Sequence, residues 1–172
     1  MKLQIQRIIY AILTIATFIT IFIFSGQNGE TSSKTSRGFT EKIINLLPIS
    51  KNWNENKKQE IIEKSQTIIR KLAHFTIYTI AGIWMMAFAN TYDNITLKQK
   101  ILIVITIGML YAISDEFHQM FSDGRTPSIR DVGIDTLGVT FGSIITTLIA
   151  KIAKITKKKL KYTNSRIRFK KY

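Results

Sequence analysis

The sequence predicts an all-α membrane protein: four transmembrane helices, with amphipathic interfacial helices between spans 1 and 2. Three observations predict it. Four Ile-rich apolar runs alternate with short stretches rich in Lys, Asn and Thr. The basic residues collect beside these runs and in an acid-free C-terminal tail. The few other ionisable residues near the runs fall at their ends.

Composition narrows the classes further. A chain of 172 residues is one domain. With no cysteine, neither a disulfide framework nor a cysteine-ligated zinc site can form. A histidine-based metal site is restricted to His74 and His118. No established metal or cofactor motif is present, so neither a metal nor a cofactor is expected, with a divalent metal held by carboxylates as the alternative for an enzyme. The net charge of +14 would suit nucleic acid, but no nucleic-acid-binding motif accompanies it. A basic membrane protein facing anionic lipid is the simpler account, with membrane lipid as the expected partner and no nucleic acid.

The first span is Ile8 to Phe24, almost unbroken apolar sequence after Lys2 and Arg7. Its length and the exit at Ser25, Gly26 and Gln27, which lacks a small-x-small cleavage site, favour an uncleaved span over a signal peptide. Residues 25–71 form a polar connection. Within it Phe39, Ile43, Ile44, Leu46 and Leu47 recur near helical spacing until Pro48. A second periodic stretch carries Ile61, Ile62, Ile68, Ile69 and Leu72. Both stretches suit the interface, and both equally suit packing on the protein's own spans.

The second span, 72–89, opens with His74 and Tyr78, four apart and so on one helix face. A histidine there is also read as an inert, hydrogen-bonded structural residue. Trp84 and Tyr92 fit aromatic belts. The third span, 101–121, must include Asp115, Glu116, His118 and Gln119, because Ile101 to Ile113 is too short to cross. Asp123 to Pro127 is a turn. The fourth span, 128–152, places Asp131 and Asp135 four apart in its first turns. Gly138 and Gly142 form a small-xxx-small pair for close helix packing. The tail over 153–172 is basic and expected in the cytoplasm, with both termini on that side. The nine Lys and Arg of residues 25–71 oppose this orientation, and the acid-free tail favours it.

This topology brings every unusual polar group to one end of the bundle, in the outer leaflet. Catalytic candidates there are His74, Asp115, Glu116 and His118; binding candidates are Gln27, Lys71, Tyr78, Gln119, Arg125, Arg130, Asp131 and Asp135. A polar pocket opening outward or sideways is expected. The structural alternative is an internal ion-pair set, Arg125 and Arg130 with Glu116, Asp131 and Asp135.

The same residues resemble the VanZ-like family of small bacterial membrane proteins. The resemblance rests on Lys71, His74, Phe75 and Tyr78; on Ser114, Asp115, Glu116, His118 and Gln119; on Arg125; and on Asp131, Asp135, Thr136 and Gly138. The Phe-Ser-Gly-Gln run ending at Gln27 is similar to the signature that follows the family's first span. Position 135 is Asp where many members carry Asn, which adds a negative charge. The resemblance implies a place at the cell envelope of a Gram-positive bacterium and a link to low-level teicoplanin resistance. It supplies no reaction.

Three functions fit these residues. The first is a non-enzymatic envelope factor, binding a lipid-linked cell-wall precursor or a lipoglycopeptide through Arg125, Arg130 and Lys71, with Asp131 and Asp135 orienting the arginines. The second is an intramembrane hydrolase or transferase on a lipid-linked phosphate or sugar, with a histidine as general base and Arg125 stabilising charge. The third, a proton-coupled transporter, calls for charges near mid-span, and these lie at the ends.

Overall fold

The computed structural model describes residues 1–169, with side chains through 158 and at position 160. Five α-helices follow in order among the described residues: α1 (Lys2–Ser25), α2 (Gly29–Leu46), α3 (Glu55–Ala89), α4 (Leu97–Gln119) and α5 (Ile129–Phe169). A short 3-10 turn, Pro48–Asn52, joins α2 to α3. By length and composition, α1, α3, α4 and α5 can each cross a membrane.

Local chemistry explains the boundaries. The hydroxyls of Thr14, Thr17 and Thr20 inside α1 donate to carbonyls four residues earlier, which satisfies them in an apolar setting. Asn28 caps α2 by accepting from the Thr31 N–H at 2.8 Å. Asn54 caps α3 in the same way, from Lys57 N–H at 2.9 Å. Thr96 and Gln99 form a capping box that starts α4. Pro48 and Pro127 lie in the breaks before α3 and α5.

The expected and observed elements differ in three places. The second periodic stretch is not a separate interfacial helix. It is the first part of α3, which runs 35 residues without a break because no Gly or Pro interrupts it before Gly82. Such a helix is about 50 Å long, well beyond a hydrocarbon core of roughly 30 Å. The third spanning helix stops at Gln119 rather than 121. The helix of the fourth span begins at Ile129 and carries the basic tail onward to Phe169; the tail's last three residues and most of its side chains lie outside the described residues.

Packing centres on α3 and α5, with α1 against α3 and α4, and α2 against α3. Ile21, Tyr78, Ala81, Met86, Val104, Ala112 and Val139 make the core. The outward faces stay apolar, with Ile12 and Ile19 on α1, Leu102 and Leu110 on α4, and Leu148 and Ile149 on α5 all exposed. An apolar surface of that extent suits lipid rather than water.

The start of α1, the end of α3 and α5 from Ala150 meet at one end of the bundle. Arg7 fastens that end: it donates to the Thr91 hydroxyl at 3.2 Å and carbonyl at 3.0 Å, and lies 4.0 Å over the Tyr92 ring. Trp84 stacks on Tyr10. The ends of α1 and α4, the middle of α3 at Arg70–His74 and the start of α5 form the opposite end, where the polar residues collect.

Candidate functional site

Two glycines let α5 approach α3 closely enough to form this end. A Cβ at Gly138 would stand 2.6 Å from the Phe75 carbonyl oxygen, and one at Gly142 would collide with the Thr79 carbonyl. Gly82 on α3 meets the Val139 carbonyl of α5 in return. Backbone-to-backbone contact along this seam brings the side chains one turn further along into register. Lys71 Nζ therefore meets Asp131 Oδ1 at 2.6 Å, and His74 Nδ1 faces Asp135 Oδ2 at 3.8 Å.

A second set of bonds ties α4 to its neighbours. Ser25 Oγ, at the end of α1, donates to Asp115 Oδ1. Gln119 Nε2 lies 3.3 Å from both Asp115 Oδ2 and Glu116 Oε1, and its Oε1 accepts from Arg125 Nη1 at 2.9 Å. Glu116 Oε2 accepts from the Ser128 N–H at 2.7 Å, directly before α5 begins. That carboxylate supplies a negative partner to the start of the helix, the chemistry of a cap. Glu116→Ala should lower the unfolding free energy by about 1–2 kcal/mol, because the half-buried Ser128 amide loses its charged acceptor. Thermal unfolding in detergent measures this, and an unchanged midpoint would remove Glu116 from the capping role.

The α4–α5 loop is stitched to the α1–α2 junction. The Gly29 N–H donates to the Asp123 carbonyl at 2.8 Å, and a Cβ at Gly29 would come within 2.6 Å of the Gly124 carbonyl oxygen. Gly124 itself has φ +73°, a left-handed turn that glycine adopts without a Cβ penalty. These contacts hold Arg125 over the bundle end.

The result is a polar cavity of about 250 Å3. Arg70, Lys71 and Arg125 contribute its cations; Glu116, Asp131 and Asp135 its carboxylates; His74 and Gln119 complete the polar lining. Beside it an apolar groove of about 330 Å3 runs between α1, α2 and α3, with Phe24, Phe39, Ile69 and Ile77 on its walls. Arg70, His74 and Arg125 line both.

Of the residues singled out from sequence, His74, Glu116, Lys71, Gln119, Arg125, Asp131 and Asp135 line the cavity. Asp115 is buried at 3% exposure and joined to Gln119; Tyr78 is fully buried one turn below His74. Gln27 lines the groove instead. Two residues are not brought in. Arg130 is exposed and lines neither space, because the first turn of α5 points it outward. His118 turns toward α1: its ring stacks on Phe22 at 4.1 Å and packs against Gly26, so it is a poor base for chemistry in the cavity.

The expected ion-pair set also differs. Among the described residues, Asp131 pairs with Lys71 rather than an arginine, Arg125 bonds an amide, and Asp135 faces His74. Asp131 and Asp135 therefore do not orient Arg125 or Arg130. Arg125 keeps its Nε buried with no partner among the described residues. Burial, and next the positive charge of Arg70, push its pKa below the ordinary guanidinium value. A guanidinium stays charged all the same, so the site holds a cation with an unmet demand for an acceptor. Arg70 and Ser25 complete the site and were not among the candidates. Their signals were adjacency to Lys71 and a position as the first polar residue after the span 1 run.

A family model described as VanZ/LLP1 matches residues 8–150 of the chain. No curated protein and no solved structure matches it.

Proposed function

The chain belongs to the VanZ/LLP1 family, and on that premise we propose that this multi-pass membrane protein is a bacterial cell-envelope factor that binds an anionic, lipid-linked envelope molecule at its polar end. Through that binding it raises tolerance to teicoplanin and related lipoglycopeptides. The observation that carries the reading is that a polar cavity and an apolar groove lie side by side and share Arg70, His74 and Arg125 in their linings. A ligand with an anionic head and a hydrocarbon tail fits both spaces at once. The arginines offer planar, bidentate contact to phosphate or carboxylate.

The orientation that supports this reading puts the polar end outside. The ten Lys and Arg from Lys151 onward, with no Asp or Glu among them, favour a cytoplasmic C-terminus. The N-terminus shares that side, since α1 starts at the same end of the bundle.

A second reading is an intramembrane hydrolase or transferase on a lipid-linked phosphate or sugar. It is favoured by His74 standing against Asp135 in the cavity, beside Arg125. His74 would then be the base, and His118 would have no part.

Expression in a sensitive Gram-positive host tests the first reading. The wild type is expected to raise the teicoplanin inhibitory concentration over empty vector and leave vancomycin unchanged. Arg70→Ala, at matched membrane level, is expected to lose most of the gain. Wild-type behaviour equal to empty vector would refute the resistance role, and full protection by Arg70→Ala would move the activity away from this cavity.

A further inference from the structure

Two buried carboxylates have no Lys or Arg beside them among the described residues. Asp115 and Asp135 are 3% and 0% exposed, and no Lys or Arg nitrogen lies within 4.0 Å of either among the described residues. Among the described residues neither oxygen of Asp135 has a hydrogen-bond partner, although Asp135 lines the cavity. Buried carboxylates are normally paired, hydrogen-bonded or bound to a metal.

His74 completes the cluster. One donor atom from each of His74, Asp115 and Asp135 lies within 4.8 Å of the other two. The His74 Nδ1 to Asp135 Oδ2 distance of 3.8 Å is too long for a hydrogen bond. Two atoms that each sit about 2.1 Å from one shared ion stand at most about 4.2 Å apart, so an ion fits between these two with a wide ligand angle. Three helices supply the three residues, so the cluster depends on the fold and not on one local motif. Ser25 and Gln119 hold the Asp115 carboxylate from behind, the arrangement that orients a ligating group. The hydroxyl of Tyr78, also buried and without a partner, lies one turn deeper on α3.

We propose that His74, Asp115 and Asp135 bind a divalent first-row transition ion at the floor of the polar cavity. One imidazole and two carboxylates are a nitrogen and oxygen donor set suited to Zn2+ or Mn2+ rather than to softer ions. Two carboxylates match the ion's charge, and His74 and Asp135 line the cavity, so the site connects to it. The site stands independently of the lipid reading: a protein that takes up no metal can still bind a lipid, and the reverse.

The test uses the full-length protein in detergent, stripped with chelator and titrated with Zn2+ or Mn2+ alone, with Mg2+ as comparison. Calorimetry should give one high-affinity site per chain, and the thermal midpoint should rise with the ion. Asp135→Asn, close in shape, should weaken binding by about 100-fold, and Ser25→Ala by about tenfold. His118→Ala and Asp93→Asn, the one facing Phe22 and the other at the opposite end of the bundle, should bind as the wild type does. Size-exclusion profiles establish that each variant is folded. Folded wild type that takes up neither ion overturns the proposal. So does Asp135→Asn that binds with wild-type affinity, or binding that is lost in His118→Ala instead.

Discussion

Gly142→Leu is expected to abolish the folded protein rather than merely weaken it. The Cβ alone would strike the Thr79 carbonyl, and backbone cannot rotate aside as a side-chain tip can. Gly82 meets Val139 in the same seam and Gly138 meets Phe75, so separating the helices at one point strains all three contacts. Overpacking a well-packed core costs about 1–3 kcal/mol and occasionally more, and a backbone clash on the main helix pair lies at the upper end of that range or beyond it. The pairs Lys71–Asp131 and His74–Asp135 sit on the same two helices, so the cavity should be lost with the seam. Gly133→Ala provides the contrast. Nothing lies within 4 Å of its Cβ position, and alanine should stabilise α5 by up to about 1 kcal/mol. Thermal unfolding in detergent and membrane yield read both. A Gly142→Leu protein with a wild-type midpoint would show that α3 and α5 do not meet this closely.

The second large effect is on binding. Arg125→Ala should weaken association with a polyprenyl-phosphate lipid by about 10- to 100-fold, the range of a lost charge-assisted hydrogen bond or two. Arg125 is held in place by Gln119 and by the loop fastened to Gly29, while its Nε keeps no partner. Its geometry is set before the ligand arrives, so little ordering is needed on binding. Arg125→Lys should recover only part of the loss, because an ammonium cannot offer the planar pair of donors. Lys98→Ala, at the start of α4 and far from the cavity, should bind as wild type. Native mass spectrometry across a lipid titration measures all four proteins. Equal affinity for wild type and Arg125→Ala would exclude the cavity as the head-group site.

The convergence of polar residues at one end was legible in the sequence because ionisable groups are rare beside apolar runs, and antiparallel spans bring alternate ends together. His74, Asp115 and Asp135 could be listed without knowing how they meet. Pairing was not legible. Lys71 takes Asp131 because the glycine seam sets the register of α5 on α3, and no local pattern encodes that register. The rotation of α4 also escaped: Asp115 and Gln119 face inward, and this turns His118 toward Phe22. The length of α3 had a signal, the lack of any breaker from Glu55 to Ala81, outweighed by the change from amphipathic to fully apolar periodicity near Leu72.

On the lipid-binding reading proposed above, the apolar groove beside the cavity would also govern how the ligand is presented. Phe24 and Phe39 on its walls remain exposed, so a lipid can enter from within the leaflet, its tail never leaving hydrocarbon. Occupancy then follows the ligand's mole fraction in the membrane, not its amount per volume of water. Diluting the ligand with neutral phospholipid should empty the site, whereas adding buffer at fixed lipid composition should leave it filled. The protein would behave as a two-dimensional receptor, responsive to how crowded its own leaflet is with one amphiphile.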